Sequence, residues 1–369
     1  MESRLLKHEL DTPCLILDLD ILEENLRKMQ NLADDAGKNL RPHVKTHKCS
    51  TLARKQIETG AIGICAAKIS EAEGLAEAGI ENVLITGPAP TPIKMKRLAA
   101  LVQKSPSTMI VLDHPTGVDL LSEALEEKRL SMNVLIDLDV GLHRTGVIPK
   151  DAPDLAKYVL SKHNLKLRGF QAYAGQVQHI SDYEEREAAS KEALKDAAAI
   201  FSKMNNELPG FDIFSTSGTG TFDIDLAIPE ITELQVGSYA CMDVEYMSIG
   251  SAKNPHQFDF FRPALRLLTS VISVNQEEFI TVDAGLKSLY KHGGIPEVLG
   301  KSGLTYSWFG DEYGKITAAG NGMLPSTGDV LEMAVSHCDP TINLFDEFYI
   351  IRGKEVLDTW PVDLRGCSH

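Results

Sequence analysis

The segment RPHVKTHK, residues 41–48, carries ionisable side chains at every second position. On an extended strand alternate residues share one face, which would align four side chains: Arg41, His43, Lys45 and His47. Neighbouring cations and partial desolvation disfavour the charged form of Lys45, and a neutral amine is the nucleophile that forms a Schiff base. We therefore expect a carbonyl-binding lysine here, with a solvated basic edge as the alternative.

Two loops contain the small residues of a phosphate site, STSGTGT at 215–221 and VGSYA at 236–240. Small residues let backbone N–H groups converge on an anion, and hydroxyl groups add further donors. An ordinary glycine-serine loop is the alternative. The expected phosphate contacts are Ser217, Gly218, Thr219, Gly237, Ser238 and Tyr239.

The segment VLEMAVSHCDP, residues 330–340, has the composition of a strand and carries a histidine and an aspartate two residues apart. On a strand His337 and Asp339 would share a face and could reach one ion, leaving the other positions to water or substrate. This open arrangement suits a catalytic Mn²⁺ or Mg²⁺ better than a closed structural zinc. A histidine that is simply capped by a nearby aspartate is the alternative.

Short apolar runs that alternate with helical patterns position these residues. Eight runs are interpreted as strands, at 40–46, 62–67, 82–87, 108–113, 132–138, 167–173, 212–217 and 233–238. Near-continuous apolar strands separated by helices predict an α/β fold with a parallel (β/α)8 barrel, and loops after the last two strands of such barrels commonly bind phosphate. A doubly wound sheet is the alternative.

The predicted barrel covers residues 20–250, and residues 1–19 with 251–369 form a β-rich domain that carries the metal pair. The segment TPCLILDLD, residues 12–20, resembles a strand that pairs into this second domain, because β-forming runs dominate the chain after about residue 255.

The composition of the 369 residues is that of a globular protein, with 43% hydrophobic and 24% charged residues. A net charge of −15 disfavours nonspecific binding to nucleic acid or to anionic membranes. The six cysteines are dispersed without a CxxC pair, and the sequence lacks a long apolar stretch or a leader-like start. We expect a cytoplasmic protein without nucleic-acid or membrane partners.

The opening DTPCLILDLDILEENL, followed by RPHVKTHK, resembles the N-terminal signature of fold-type III pyridoxal-phosphate enzymes. The resemblance is to the branch of D-threonine aldolases and eukaryotic-type D-serine dehydratases and, more distantly, to alanine racemase, and it extends to residue 339 or beyond. It implies that Lys45 binds pyridoxal 5′-phosphate covalently. It also implies a homodimer with the active site near the subunit interface.

The same resemblance implies roles for further residues. GLHRTG (141–146) would place Arg144 near the cofactor's phenolic oxygen, and in YAGQVQH (173–179) Tyr173 would lie against the cofactor ring or near Lys45. His179 would face the substrate's β-hydroxyl, where histidine can accept a proton. A surface arginine in a turn and an inconsequential loop histidine are the alternatives for Arg144 and His179.

Two positions distinguish this chain within the resemblance. D-threonine aldolases are similar to this chain in having His-x-Asp where it has residues 337–339, whereas D-serine dehydratases have His-x-Cys there. Asp339 therefore favours the aldolase. Related sequences often read E-L-R-P-G where this chain has ELQVG, residues 233–237. If Gln235 faces the pyridine nitrogen, a neutral amide replaces a cation there.

The expected reaction is a retro-aldol cleavage of D-threonine or a related D-3-hydroxy-α-amino acid into glycine and an aldehyde. His179 or a water on the metal would remove the β-hydroxyl proton, with the metal at His337 and Asp339. The rivals are a D-serine or D-threo-3-hydroxyaspartate dehydratase, a 3-hydroxy-D-aspartate aldolase, and a noncatalytic pyridoxal-phosphate carrier. The β-rich portion argues against the carrier, which resembles an isolated barrel.

Overall fold

The computed structural model describes residues 5–369, which form two compact units. The barrel unit comprises 28–45, 52–237 and 366–369, and the β-rich unit comprises 5–27, 46–51 and 238–365. The domain boundaries expected from the sequence stay a prediction, and residues 1–4 of the expected β-rich domain lie outside the described residues.

Strands and helices alternate through the middle of the chain, and strands predominate after residue 260. The strands are β1 (Cys14–Asp18), β2 (Asn39–Leu40), β3 (Ile64–Ala66), β4 (Val83–Ile85), β5 (Met109–Leu112), β6 (Met132–Asp137), β7 (Leu165–Ala172), β8 (Ile213–Thr216), β9 (Glu233–Leu234), β10 (Leu265–Ser273), β11 (Phe279–Val282), β12 (Glu297–Val298), β13 (Leu304–Trp308), β14 (Gly314–Ala318), β15 (Val330–Ala334), β16 (Glu347–Arg352) and β17 (Glu355–Pro361). The α-helices are α1 (Leu19–Asp35), α2 (Ser50–Thr59), α3 (Ile69–Glu77), α4 (Pro92–Lys104), α5 (Pro115–Glu126), α6 (Ala152–Leu160), α7 (Tyr183–Glu207), α8 (Phe222–Asp225), α9 (Val244–Met247) and α10 (Cys338–Ile342). Short 3-10 turns occur at Lys7–Glu9, Val44–Thr46, Pro149–Asp151 and Gly175–Val177.

The barrel unit contains one parallel sheet in the order β2-β9-β8-β7-β6-β5-β4-β3. The two ends of this order meet, because a parallel bridge joins His43 to Cys65 and the Cys65 N–H donates to Pro42 O at 2.8 Å. Each of the eight predicted strands overlaps one strand of this sheet. The predicted (β/α)8 barrel is confirmed, and the doubly wound alternative is wrong.

Apolar side chains fill the barrel strands because helices cover the outside of a parallel sheet while the inside packs on itself. One buried cluster joins five of the strands and consists of Cys65, Leu84, Met109, Val111, Leu135 and Ile213. Complete burial of one large aliphatic side chain contributes about 1.5–3 kcal/mol. This core fixes the positions of the strand ends that carry the candidate site residues.

The β-rich unit contains a second sheet in the order β13-β14-β11-β10-β1-β16-β17, and β15 pairs with both β10 and β12. Strand β1 lies inside this sheet, antiparallel to β10 with Cys14 opposite Leu268, and parallel to β16 with Leu17 opposite Ile350. The prediction that the N-terminal strand pairs into the β-rich portion is confirmed. Among the residues that the structure describes, no helix is long and apolar enough to cross a membrane.

Candidate functional site

Lys45 lies just beyond the carboxyl end of the first barrel strand, but it is not part of an extended strand. β2 ends at Leu40, and Lys45 is the middle residue of a 3-10 turn, Val44–Thr46. The prediction that alternation continues from Arg41 through His47 on one strand face is therefore wrong beyond the bridge at His43. Lys45 is half-buried at the end of the barrel where active sites of this fold form.

Arg41 is directed to the opposite end of the barrel. Its guanidinium donates to Glu233 Oε1 at 2.8 Å and Oε2 at 2.9 Å, and also donates to the carbonyl of Asn82. Glu233 begins β9 and Asn82 immediately precedes β4, so both lie at amino ends of strands. Burial opposes the charged guanidinium, but Glu233 outweighs it and raises the pKa of Arg41 above its ordinary value.

The histidines near Lys45 have the hydrogen bonds of neutral rings. His43 Nδ1 accepts the Lys45 N–H at 3.3 Å, and His43 Nε2 lies 3.0 Å from Thr86 Oγ1. Because the Thr86 hydroxyl donates to Ala66 O, its oxygen accepts from His43 Nε2–H. His47 Nδ1 similarly accepts the Cys49 N–H. Arg41 pairs with Glu233 at the other end of the barrel, so it is not one of the cations that were expected around Lys45, and the nearby rings of His43 and His47 accept backbone hydrogen bonds.

Three chain segments at the carboxyl end of the barrel lie side by side because β2, β9 and β8 are neighbours in the sheet. The Lys45 turn follows β2, Gly237 follows β9, and the loop 217–221 follows β8. Ser217, Thr219, Ser238 and Tyr239 are all buried. A primary amine beside two loops rich in hydroxyl and backbone donors is the donor set that an aldehyde with a phosphate group requires. The residues present thus fit pyridoxal phosphate.

The loop after β8 is held by Gln178, a residue that the sequence analysis did not single out. Gln178 Oε1 accepts the Gly220 N–H at 3.0 Å, and its Nε2 donates to Thr221 Oγ1 at 3.0 Å. A Cβ at Gly218 would lie 2.3 Å from Gln178 Oε1, and one at Gly220 would lie 2.0 Å from Gln178 O. Glycine is therefore required at 220, where the overlap would be with backbone, and Ser217 turns the chain at a φ of +78°.

Arg144 and Tyr173 lie near each other, and the cofactor contacts that the resemblance implies for them stay a prediction. The Arg144 guanidinium lies 5.8 Å from the centre of the Tyr173 ring. Asp139 shapes the arginine loop by accepting the N–H groups of Gly141 and His143, each at 3.0 Å. His179 follows the 3-10 turn Gly175–Val177, and its side chain is exposed.

A buried polar chain crosses the carboxyl end of the barrel and was missed by the sequence analysis. Gln171 Nε2 donates to Asp137 Oδ1 at 2.8 Å and to Thr86 O at 2.9 Å. A carbonyl can only accept, so the Gln171 amide orientation is fixed and its Oε1 faces Gln235 Nε2 at 3.2 Å. Gln235 Nε2 also donates to Ser215 Oγ at 2.9 Å. Gln235 therefore contributes its side-chain N–H groups as donors to this chain of hydrogen bonds.

Asp137 connects that chain to the arginine loop, because Thr145 donates to its Oδ2 at 2.7 Å. Burial raises the pKa of Asp137 to about 6, although the hydrogen bonds from Thr145 and Gln171 favour its charged form. A polar residue inside an otherwise apolar strand, as at Gln171, was the signal available in the sequence.

His337 and Asp339 meet at the start of a helix and not on a strand. β15 ends at Ala334, and α10 begins at Cys338, so the predicted strand through Pro340 is wrong. His337 Nε2 nevertheless lies 3.9 Å from Asp339 Oδ1. Two ligands at about 2.1 Å from one ion are separated by about 3–4 Å, so this pair fits a two-ligand divalent site after small adjustment.

Two acidic residues on the other side of the His337 ring were also missed. His337 Nδ1 lies 3.0 Å from Asp243 Oδ2 and 3.0 Å from Glu245 Oε2. Burial opposes the charged ring, but these carboxylates outweigh it and raise the pKa of His337 to about 10. Within residues 5–369 no group of three or more His, Cys, Asp or Glu side chains is placed so that together they could hold a metal ion. Any metal here would have most of its coordination completed by water or substrate.

Comparisons with known proteins identify the family. The model described as "Alanine racemase, N-terminal domain" matches residues 17–243, and the one described as "Putative serine dehydratase domain" matches residues 264–351. The chain is 36% identical to D-threonine aldolase from Arthrobacter sp, covering 97% of this chain and 93% of that protein. The chain belongs to the alanine racemase-like family that includes D-threonine aldolase. The resemblance stated from the sequence is thus confirmed, as is the expectation of an aldolase-type enzyme family.

Other similar proteins are named for several related activities. The chain is 35% identical to 3-hydroxy-D-aspartate aldolase from Paracoccus denitrificans, covering 98% of this chain and 94% of that protein. The crystal structure of D-threonine aldolase from Filomicrobium marinum superposes with a TM-score of 0.94 at 34% identity, with complete coverage of both chains. D-threo-3-hydroxyaspartate dehydratase from Delftia sp. HT23, at 23% identity and a TM-score of 0.84, shares the fold.

Proposed function

We propose that this chain catalyses the pyridoxal-phosphate- and divalent-metal-dependent cleavage of D-threonine and related D-3-hydroxy-α-amino acids into glycine and an aldehyde. The observation that carries this proposal is the position of Lys45 beside the loops after β9 and β8, in a chain whose full-length relatives include D-threonine aldolase. The His337–Asp339 pair supports the metal requirement.

In this proposal the barrel residues hold and orient the cofactor. Lys45 provides the covalent attachment, and the phosphate contacts are Ser217, Gly218, Thr219, Gly237, Ser238 and Tyr239. Arg144, whose guanidinium lies 5.8 Å from the centre of the Tyr173 ring, and Tyr173 hold the cofactor's phenolic oxygen and its ring. When bound, pyridoxal phosphate supplies the electron sink that stabilises negative charge at the substrate Cα after the bond to Cβ breaks.

The proton on the substrate's β-hydroxyl must leave before that bond can break. His179 has an exposed imidazole and accepts this proton in our proposal. His337 and Asp339 hold the divalent ion, Mn²⁺ or Mg²⁺. If such an ion lowered the hydroxyl pKa as zinc lowers that of water, from about 15.7 to about 7, the shift would correspond to about 12 kcal/mol as an upper bound. A histidine base alone contributes only about 10²–10⁴-fold.

Product analysis tests the proposal. Purified enzyme supplied with pyridoxal phosphate, Mn²⁺ and D-threonine should release glycine and acetaldehyde in equal amounts. Lys45→Ala should lose both the visible absorption band of the bound cofactor and the activity. A Lys45→Ala protein that keeps the wild-type band would refute the assignment of the attachment site.

A 3-hydroxy-D-aspartate aldolase is the second candidate, because a relative of that name is 35% identical along nearly the whole chain. It would release glyoxylate, so parallel assays with D-threonine and 3-hydroxy-D-aspartate decide between the two. A dehydratase would instead release ammonia with pyruvate or oxaloacetate. Asp339 favours the aldolase, because the D-serine dehydratases that this chain resembles have cysteine at this position.

The remaining parts of the proposal concern assembly and location. We propose a cytoplasmic homodimer, with residue ranges 20–250 and 1–19 plus 251–369 as its barrel and β-rich domains. Sedimentation measurements over a range of concentrations test the dimer.

A further inference from the structure

The two ring nitrogens of His337 have different surroundings. Nδ1 faces carboxylate oxygens of Asp243 and Glu245, each at 3.0 Å, whereas Nε2 faces Asp339 Oδ1 at 3.9 Å. A carboxylate can only accept a hydrogen bond, so Nδ1 is the nitrogen that carries a proton. Nε2 is therefore the nitrogen available to bind a cation together with Asp339.

Asp243 is held far more firmly than Glu245. Asp243 is completely buried, and its Oδ2 also accepts the Cys338 N–H at 2.8 Å while Oδ1 accepts the Tyr246 N–H at 3.1 Å. The Glu245 side chain is 27% exposed. A carboxylate fixed by two backbone N–H groups keeps one orientation, whereas a partly exposed glutamate can rotate into water.

Backbone hydrogen bonds connect the Asp243 segment to the residues that lead into His337. Val244 N–H donates to Val335 O at 3.0 Å, and Glu245 N–H donates to Ser336 O at 3.1 Å. Since the Asp243 carboxylate also accepts the Cys338 N–H, the segment 243–245 contacts residues on both sides of His337 along the chain. The start of α9 is thus joined to the start of α10 and to the residues that precede it by this carboxylate and by two backbone hydrogen bonds.

We propose that Asp243 is a positioning residue that fixes the tautomer and ring orientation of His337, so that Nε2 is presented with Asp339 to a divalent cation. This inference rests on the metal site of the proposed function. A histidine ligand whose other nitrogen donates to a carboxylate binds metal more tightly, and loss of that partner weakens binding by about 10–100-fold.

The test compares Asp243→Asn with Glu245→Gln, two variants that each remove one charge beside the same nitrogen. Mn²⁺ dissociation constants are measured by isothermal titration on the pyridoxal-phosphate-loaded enzyme. We expect Asp243→Asn to weaken Mn²⁺ binding by about 10–100-fold and Glu245→Gln to change it much less. Circular dichroism and the cofactor absorption band report whether each variant is folded.

Each outcome has a distinct meaning. If the wild type binds no Mn²⁺, the proposed metal site fails. If the wild type binds Mn²⁺ and Asp243→Asn binds it equally well, or if Glu245→Gln has the larger effect, the positioning role of Asp243 is wrong.

A second measurement does not depend on the variants folding. In wild-type enzyme with Mg²⁺ bound, ¹⁵N chemical shifts of the histidine rings should show His337 protonated at Nδ1 and not at Nε2. Protonation at Nε2 and not at Nδ1 would overturn the inference. A purely structural role for Asp243 would not require His337 to be in either tautomer.

Discussion

The buried pair of Arg41 and Glu233 allows a test of whether Arg41 stabilises the barrel or instead affects cofactor binding at Lys45. Both side chains are nearly inaccessible, with exposed fractions of 4% and 3%, so solvent screens their interaction little. Removing one partner of such a pair typically costs about 3–5 kcal/mol, because the other charge stays buried without compensation. We therefore expect Arg41→Met to destabilise the barrel strongly.

The structure favours the lower end of this range. Arg41 and Glu233 line a cavity of about 310 Å³ at the amino end of the barrel, together with polar residues such as Asn82 and Asn133. Water entering this cavity can partly solvate Glu233 once the guanidinium is gone. The Asn82 carbonyl loses a donor at the same time, which adds about 1 kcal/mol. We expect a loss of about 3–4 kcal/mol.

The assay is urea unfolding of the loaded enzyme, followed by the cofactor absorption band and by circular dichroism. The double variant Arg41→Met with Glu233→Met removes both charges and should recover most of the lost stability, since apolar replacement of a whole buried pair is often neutral. Cofactor binding by Arg41→Met under native conditions should match the wild type. A stable Arg41→Met protein that loses the cofactor would refute the conclusion that Arg41 closes the barrel and does not act on Lys45.

Three further predictions concern charge, packing and metal. Burial raises the pKa of Asp137 to about 6, above its unfolded value near 4. This shift contributes about 3 kcal/mol to the free energy of unfolding, which is fully present below pH 4 and is lost as the pH rises through 6. Asp137→Asn should reduce the pH dependence of the free energy of unfolding between pH 4 and 6, as measured by urea unfolding. The dependence that remains is due to Asp223, whose pKa burial also raises to about 6. An unchanged dependence on pH would contradict this prediction. Gly220→Ala should weaken pyridoxal-phosphate binding in fluorescence titrations and cost about 1–3 kcal/mol, because its Cβ would overlap Gln178 O. The control Gly117→Ala, in α5 with no neighbour nearer than 3.7 Å, should be neutral or stabilising in the same titration and in urea unfolding. Chelation should abolish most cleavage of D-threonine and Mn²⁺ should restore it, whereas full turnover after complete metal removal would contradict the proposed ion.

The barrel could be predicted from the sequence because buried parallel strands leave near-continuous apolar runs. The runs around Leu84, Val111 and Leu135 are of this kind, and all three residues lie in the barrel core. Order along the chain then placed Lys45 and the glycine loops at one end. Their adjacency depends on closure of the sheet through β2 and β9, which follows from the fold class.

The errors arose where alternation of residue types did not reflect an extended backbone. The polar residues of 41–48 alternate like a strand, but the chain turns at 44–46 and Lys48 has a φ of +46°. The strand expected through Pro340 ends early because His337 occupies the N-cap of α10, where Pro340 is tolerated near the helix start.

The missed residues are those that depend on contacts distant in sequence. Asp243 and His337 are 94 residues apart, and neither neighbouring sequence contains a pattern that predicts their contact. Gln178 contacts Gly220 across 42 residues in the same way. The sequence indicates which helices and strands are present, but it does not state which of them lie close together in space. Contacts between distant residues therefore could not be predicted from it.

The interior location of β1 in the second sheet has a consequence for synthesis on the ribosome. Leu268, the partner of Cys14, is made on the order of 10–50 s after it at about 5–20 residues per second, and Ile350, the partner of Leu17, is made later still. During that interval an apolar five-residue strand has unpaired edges on both sides and is a natural target for a chaperone.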